Sequence, residues 1–374
     1  TDLIALLQPI TSAAGNPRGE SMTFDLEVVT PMFLAGAKNK SARDKFEPGL
    51  PIDIEHEFLR PTSVKSMLRW WWRAVAPHND VANLHDAEGA IFGDTKHGQG
   101  LSVTTQHHAG WKSGTGSMPP SASLGYLLGQ GLNHFRDGVV RPAVYPGSTA
   151  KVMIKGHLSQ DLKNAVALLS LLGGLGSRSR RGWGSVSSTA FPKDLDDLRA
   201  QLNNLMKIMP TTPRMWSHLT PNTRYVVAPS VFSTWNEALD SLGKPMSDMR
   251  QKLGGRTAPY GPDHDLVSDL LHKNSLPKSA PRRSAFGLPH PYFFKSSKKS
   301  VTFNWNGSER RASPLLLHVA KLQTGGFAAI AIVMSGPFLP PGSTITTDKF
   351  PRLSVPPPSM TLLDEYLDRI SGKV

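Results

Sequence analysis

Residues 61–75, PTSVKSMLRWWWRAV, set the tightest limit on how this chain can fold. Val64, Met67, Leu68, Trp71 and Val75 recur at helical spacing and form one apolar stripe. Thr62 or Ser63 is the predicted N-cap. Trp71 and Trp72 are expected in the core, while Trp70 is open to either core or a base-stacking surface. A helix of this kind needs an apolar surface to lie on. Thr23 to Val29 offers one, because Phe24, Leu26 and Val28 alternate with Asp25 and Glu27 as in a half-buried strand.

The remaining pattern repeats this mixture. Short strands are expected at Gly100–Gln106, Ser148–Lys155, Gly184–Ser188 and Arg224–Ser230, and helices at Ala87–Gly93 and Leu162–Leu172, the latter apolar nearly all round. A helix over about Thr234–Leu253 is expected to break at Pro245, and Ala258–Arg283 reads as irregular. Leu315–Leu322 and Phe327–Met334, separated by Gln323, Thr324, Gly325 and Gly326, read as a β-hairpin, and Met360–Ile370 as a terminal helix. Residues 35–61 read as a long loop. With 33 glycines and 31 prolines the chain is turn-rich, which suits α+β. An antiparallel sheet with helices on one face is expected, and the ferredoxin-like (RNA-recognition-type) fold is one member. A boundary in or just before the proline-rich 210–221 divides the 374 residues into 1–209 and 210–374.

Charge narrows the partner. Lys plus Arg is 42 against 29 Asp plus Glu, a net charge of +13, which favours a polyanion such as nucleic acid. Lys65, Arg69 and Arg73 recur every fourth residue on a face of the 61–75 helix away from the apolar stripe. With Ser63 and the N-terminal N–H groups, Lys65 forms a candidate phosphate cradle; a solvated face is the alternative. The stretch GGLGSRSRRGWGS, Gly173–Ser185, has five glycines around Arg178, Arg180 and Arg181. Its backbone N–H groups can form an anion nest and its arginines can fork onto phosphates; a flexible linker is the alternative. It lacks the Gly-Lys-Ser/Thr ending of a P-loop and the third glycine of a dinucleotide fingerprint. Trp183 is open to stacking or core. Further basic groups are Lys38, Lys40, Arg43 and Lys45; Lys278, Arg282 and Arg283; and Lys295, Lys298 and Lys299 beside Tyr292, Phe293 and Phe294.

Catalytic signals are thin. No cysteine is present, so thiol catalysis and Cys-ligated metal are excluded. Asp53, Glu55 and Glu57 would share one face of an extended segment, with His56 among them and Asp44 and Glu47 nearby, but a charged loop explains them better than a metal site. His107 and His108 would point oppositely on a strand, and His85 and His97 match no ligand spacing. No GxSxG or HExxH pattern appears. No cofactor or metal is expected. A metal-free ribonuclease using His56 as general base on a ribose 2′-OH leaves no motif and stays as the alternative, and a basic scaffold for protein partners as a third. The apolar run Leu3–Leu7 is too short for a secretory signal, and Phe327–Met334 is under half the ~20 residues of a membrane span, so a cytoplasmic protein without membrane contact is expected.

Three stretches together carry a resemblance: TPMFLAGA followed by EFLRPTSVKSMLRWWWRAV, then GGLGSRSRRGWGSVS, then FGLP with RRASPLLLHVAKL. This resembles the RAMP superfamily of CRISPR effector proteins, and within it the first subunit of the type III-B (Cmr) complex. The resemblance implies two ferredoxin-like domains with long inserted loops, and a place among other RAMP subunits in a ribonucleoprotein of antiviral defence. It implies contact with guide (CRISPR) RNA or target single-stranded RNA near the guide 3′ end, and target cleavage by a different subunit. The RNA-binding residues expected are Lys38, Arg60, Ser63, Lys65, Arg69, Arg73, Gly174, Gly176, Ser177, Arg178, Arg180 and Arg181, of which the resemblance implies phosphate contacts for Ser63, Lys65, Arg69 and those of the Gly173–Ser185 loop. Asp44 and Asp53 lie in the loop where the cleaving subunit carries its aspartate, and no nuclease role is transferred to them. Ser66 and Ala35 stand where the family commonly has glycine, which bears on how closely RNA approaches.

Overall fold

The computed structural model describes residues 20–34, 58–114, 121–129, 131–134, 138–139, 141–188, 190–250, 261–305 and 310–373. Lys38 and the acidic group from Asp44 to Glu57 lie outside them.

The first half begins with β1 (Glu20–Val28), then α1 (Pro61–Val75), α2 (Val81–Phe92) and β2 (Ser102–His107). A short helix α3 (Ala122–Leu128) precedes β3 (Thr149–Gly156), α4 (Gln160–Leu172) and β4 (Val186–Ser188). The four strands form one antiparallel sheet in the order β2-β3-β1-β4. Met22, Phe24, Leu26 and Val28 of β1 and Ala150, Val152 and Ile154 of β3 turn to one face, where α1 and α4 cover them. The alternation read in the sequence therefore holds, except that Glu27 is also buried and pairs with Lys321 at 2.7 Å.

Helix α1 has the expected span. Its N-cap is Arg60 rather than Thr62 or Ser63, with Pro61 in the first turn and no side-chain cap. Proline, whose missing N–H costs nothing there, starts the helix ahead of the hydroxyls. Val64, Leu68, Trp71, Trp72, Ala74 and Val75 are buried. Helix α2 starts earlier than expected because Asp80 caps it, accepting from the Asn83 N–H at 2.9 Å.

A helix α5 (Leu195–Lys207), capped by Asp194, leads into the second half. There follow β5 (Arg224–Val227), α6 (Trp235–Arg250), α7 (Gly261–Lys273), β6 (His290–Phe294), β7 (Lys299–Trp305), β8 (Leu315–Lys321), β9 (Phe327–Val333), β10 (Ile345–Thr347) and α8 (Thr361–Ile370). Two corrections fall here. Helix α6 runs through Pro245 without a break, and α7 occupies the stretch read as irregular.

The hairpin formed by β8 and β9 is as expected, with Leu315 opposite Val333 and Lys321 opposite Phe327. With β5 it forms a sheet in the order β8-β9-β5, while β6, β7 and β10 form a separate small sheet. Both faces of the hairpin are buried. Leu316, Ala320, Ala328, Ile330 and Ile332 join the core containing α4, whereas Leu315, Leu317, Val319, Ala329 and Ala331 join a second core with α3, α6 and α8. This explains why α4 is apolar all round: the first sheet covers one side and the hairpin another. It also explains the near-continuous apolar runs of β8 and β9.

Candidate nucleic-acid interface

The glycine/arginine segment leaves α4 at Gly173 and returns as β4. Its base is closed by the Leu175 N–H donating to Gly184 O at 2.8 Å. Outside bonds hold it on both sides: Ser177 N–H to Phe33 O at 2.8 Å, Gly184 N–H to Pro31 O at 2.9 Å, and Leu317 N–H to Arg180 O at 3.0 Å. Gly176 and Gly184 have φ of +82° and +66°, and a Cβ there would lie 2.5 Å from Phe33 O and 2.0 Å from Leu175 O. Only glycine meets both demands. Trp183 is wholly buried between Phe33 and Trp235, with ring centroids 5.8 Å and 6.0 Å away. The segment is thus a fixed hairpin joining both halves, neither a flexible linker nor a stacking surface at Trp183. Gly174 sits in its buried base, while Gly176 and Arg178 are exposed at its tip.

The three arginines differ. Arg181 donates to Leu127 O at 3.3 Å, at the C-terminal end of α3, where carbonyls attract cations. Arg180 lies over the Trp70 ring at 5.2 Å and donates to Ser313 O at 3.2 Å. Arg178 has φ +64°, and its guanidinium lies back over Gly129 at the end of α3, where a Cβ on that glycine would come within 3.2 Å of Nη2. Burial, and then the neighbouring Arg310, hold the Arg178 guanidinium below its ordinary pKa. Arg311 is likewise depressed by burial and then by Arg180. Arginine stays charged through such shifts, so Arg178 with Arg310 and Arg180 with Arg311 make two like-charged pairs, formed by residues close in sequence on each side. Among the described residues no carboxylate forms an ion pair with Arg178, Arg180 or Arg311.

Helix α1 reaches the second pair through Trp70, which is partly buried and packs edge-on against Trp71. The basic stripe divides. Arg73 grips the buried Glu88 of α2 with two hydrogen bonds, through Nε and through Nη2 at 2.6 Å, and this bonding raises its pKa. Arg69 places Nε 3.0 Å from the same carboxylate, off the hydrogen-bond line, and donates through Nη2 to Gly93 O at 3.1 Å. These two guanidinium groups therefore brace α1 against α2, and the stripe is not a uniform phosphate-facing surface. Lys65 has no carboxylate partner among the described residues, and burial followed by Arg69 lowers its pKa. Ser63 stands in the first turn, its N–H bonded to Arg60 O at 2.9 Å.

Of the residues named from the sequence, the structure brings together Arg178 and Arg180 at the loop, with Lys65 on the helix that carries Trp70. The missed members are Arg310 and Arg311, the pair just before β8. Two other basic residues are internally paired: Arg282 with Glu365, and Arg283 with Asp263. Tyr292 is buried beneath Arg283, while Phe293 is exposed. His107 and His108 do diverge, and His108 meets Asp25 at 3.0 Å. Among the described residues no group of three His, Cys, Asp or Glu could hold a metal ion, and no helix is long and apolar enough to cross a membrane.

Comparison with known proteins bears on the family and the fold. Residues 25–187 match the model of the RAMP superfamily. Two curated relatives are from Pyrococcus furiosus. The CRISPR system Cmr subunit Cmr1-1 is 29% identical over 152 residues, 38% of this chain and 45% of that one. Cmr subunit Cmr1-2 is 36% identical over 76 residues, 20% of this chain and 33% of that one. The matched segments thus span less than half of either relative. The crystal structure of apo Cmr1 from the same organism superposes with a TM-score of 0.54 at 18% identity, covering 93% of this chain and 96% of that one, so the fold is shared. The RAMP resemblance read from the α1 segment and the glycine/arginine loop holds, with Cmr1 as the subunit this chain is similar to.

Proposed function

We propose that this RAMP protein is a non-catalytic RNA-binding subunit of a type III-B CRISPR effector, holding the backbone of guide or target RNA near the guide 3′ end. The observation that carries the proposal is the two arginine pairs. Arg178 and Arg180 from one half repel Arg310 and Arg311 respectively from the other, on a rigid loop, with no ion-paired carboxylate for three of the four among the described residues. A polyphosphate relieves that repulsion, and guanidinium forks suit phosphate oxygens. Such contacts fix position along a backbone without reading sequence, leaving recognition to guide–target pairing. With α2 and α3 taken as insertions, the order β1-α1-β2-β3-α4-β4 and the sheet order β2-β3-β1-β4 support a ferredoxin-like domain over 1–209. The order β8-β9-β5 with α6 and α8 supports a second over 210–374, with three strands in its sheet among the described residues. Other RAMP subunits are the expected partners and the cytoplasm the expected place.

The test is a salt titration of single-stranded RNA binding, with the same samples run on a denaturing gel. Each phosphate contact contributes about 0.7 to the slope of log affinity against log salt, so replacing Lys65, Arg178 and Arg180 together by Ala reduces the slope by up to about 2. The RNA stays intact. An unchanged slope and affinity removes these residues from the site, and discrete cleavage products move the assignment to an endoribonuclease.

A further inference from the structure

The small sheet of β6, β7 and β10 has two unlike faces. One is turned to a third core shared with Val267 and Leu270 of α7, and there His290, Tyr292, Val301, Phe303, Ile345 and Thr347 are buried. The alternate positions form the outer face: Pro291 and Phe293 on β6, Ser300, Thr302 and Asn304 on β7, and Thr346 on β10. Polar residues suit such a face, and Phe293 breaks the pattern. Its side chain is 60% exposed. Its cross-strand neighbour is Ser300, too small to cover the ring. Among the described residues no other ring and no cation packs on Phe293.

An exposed phenylalanine alone is ordinary. What sets this one apart is the charge around it. Lys349 donates to Ser300 Oγ at 3.3 Å, which puts an ammonium group beside the position facing Phe293. The turn 295–298 begins two residues after Phe293 and exposes Lys295 and Lys298. Lys295, Lys298 and Lys349 form no ion pair with a carboxylate among the described residues. The exposed acid next to them, Asp348, accepts from the Thr302 N–H at 2.8 Å. The hairpin is held in place by Lys299, whose Nζ donates to Leu271 O at 3.0 Å near the end of α7. The face also lies near the arginine pairs. Leu288 and Arg311 exchange backbone hydrogen bonds of 2.8 and 2.9 Å, and Phe293 is five residues beyond Leu288. Extended chain covers at most about 3.6 Å per residue, so Phe293 lies within roughly 25 Å of the Arg311 backbone. A few nucleotides of single strand span that distance.

We propose that the outer face of this small sheet is a second contact for single-stranded RNA, in which an unpaired base stacks on Phe293 while Lys298 and Lys349 hold the flanking phosphates. The ligand class follows from the chemistry placed together. An open aromatic face takes a planar base, and the surrounding ammonium groups take an anionic backbone. An apolar protein segment would cover Phe293 but desolvate those ammonium groups without a counter-charge. The inference rests on the RNA-binding reading above and adds a site outside the matched RAMP segment, residues 25–187.

The experiment measures binding of the full chain to labelled single-stranded RNA, to the same ribose-phosphate backbone lacking bases, and to poly-glutamate, across a salt series. Phe293→Ala is expected to weaken binding of the base-bearing RNA roughly tenfold with its salt slope unchanged. Phe293→Trp keeps the affinity, and Phe293→Leu, apolar without an aromatic face, behaves as the alanine variant does. The baseless backbone does not distinguish these proteins. Replacing Lys298 and Lys349 together by Ala lowers the slope by up to about 1.4 on both nucleic-acid probes. Wild-type RNA affinity in both Phe293→Ala and Phe293→Leu overturns the proposal, as does an equal loss on the baseless backbone or an unchanged slope in the lysine variant. A loss confined to poly-glutamate gives the face to an acidic protein and overturns it too. A wild-type chain that binds no RNA defeats the RNA-binding reading and this inference with it. Binding that is weakened by replacing Lys65, Arg178 and Arg180 but not by the Phe293 variants defeats this inference alone.

Discussion

Acid should destabilise this fold through one residue, His318 on β8. Its side chain is buried with 1% exposure, and its Nδ1 lies 2.8 Å from Gly173 O, the carbonyl where α4 gives way to the arginine loop. Nδ1 donates there, so the neutral ring leaves Nε2 as a bare acceptor, and Nε2 meets no hydrogen-bond partner among the described residues. Burial drives the pKa from 6.5 to about 4, the bond to Gly173 opposing only part of the shift. Above pH 6.5 the ring is neutral in folded and unfolded chains alike and contributes no pH dependence. Below it the unfolded chain takes up a proton that the folded chain refuses. Stability then falls by about 1.4 kcal/mol per pH unit until the folded pKa is reached. At about pH 5 the loss is roughly 2 kcal/mol. His318→Gln supplies an amide that donates to Gly173 and does not titrate. Urea unfolding followed by tryptophan fluorescence, at about pH 7.5 and about pH 5, should show the wild type losing roughly 2 kcal/mol more than the variant. Other acid-sensitive groups such as His218 are common to both proteins and cancel in the difference. Equal losses would refute the reasoning, because they would mean that His318 takes up its proton in the folded state as readily as in the unfolded one.

Two further outcomes follow from the same packing. Glu88→Gln removes the charge shared by Arg69 and Arg73, whose side chains are 33% and 43% exposed; with solvent screening allowed for, thermal denaturation should report a loss of about 1–2 kcal/mol. Gly184→Ala places a Cβ against Leu175 O in a left-handed backbone and should cost about 3 kcal/mol in urea unfolding, whereas Gly342→Ala, also at positive φ but in open space, should cost only its backbone strain of about 1 kcal/mol.

Much of the framework was legible because its periods are clean. The alternation of β1, the stripe of α1 and the paired apolar runs of β8 and β9 each match one secondary-structure period, and each has the expected place. The elements missed are those whose local signals conflict. Gly261 and Pro262 read as a turn, yet they open α7, where a missing N–H is harmless. Pro245 reads as a break, yet α6 continues through it. Helix α5 is announced in the sequence chiefly at its start, where Asp194 caps it by accepting from the Asp196 and Asp197 N–H groups.

At the site, side-chain chemistry was legible and partnership was not. Arg69 and Arg180 look alike in a sequence. One turns to Glu88 on the next helix, and the other crosses to Trp70 and Ser313. A carboxylate 19 positions away separates a brace from a cation with no ion pair among the described residues, and only packing reveals which cation has one.

The two-faced hairpin bears on how the chain is made. Helix α4 needs β8 and β9 to cover its outer side, and those strands are translated well over a hundred residues later. At ordinary synthesis rates that is a wait of roughly 10–30 s, during which a finished first sheet would carry a bare row of leucines. Arrival of the hairpin covers that row and brings Ser313 to Arg180, so the arginine pairs form only once the second half has been made.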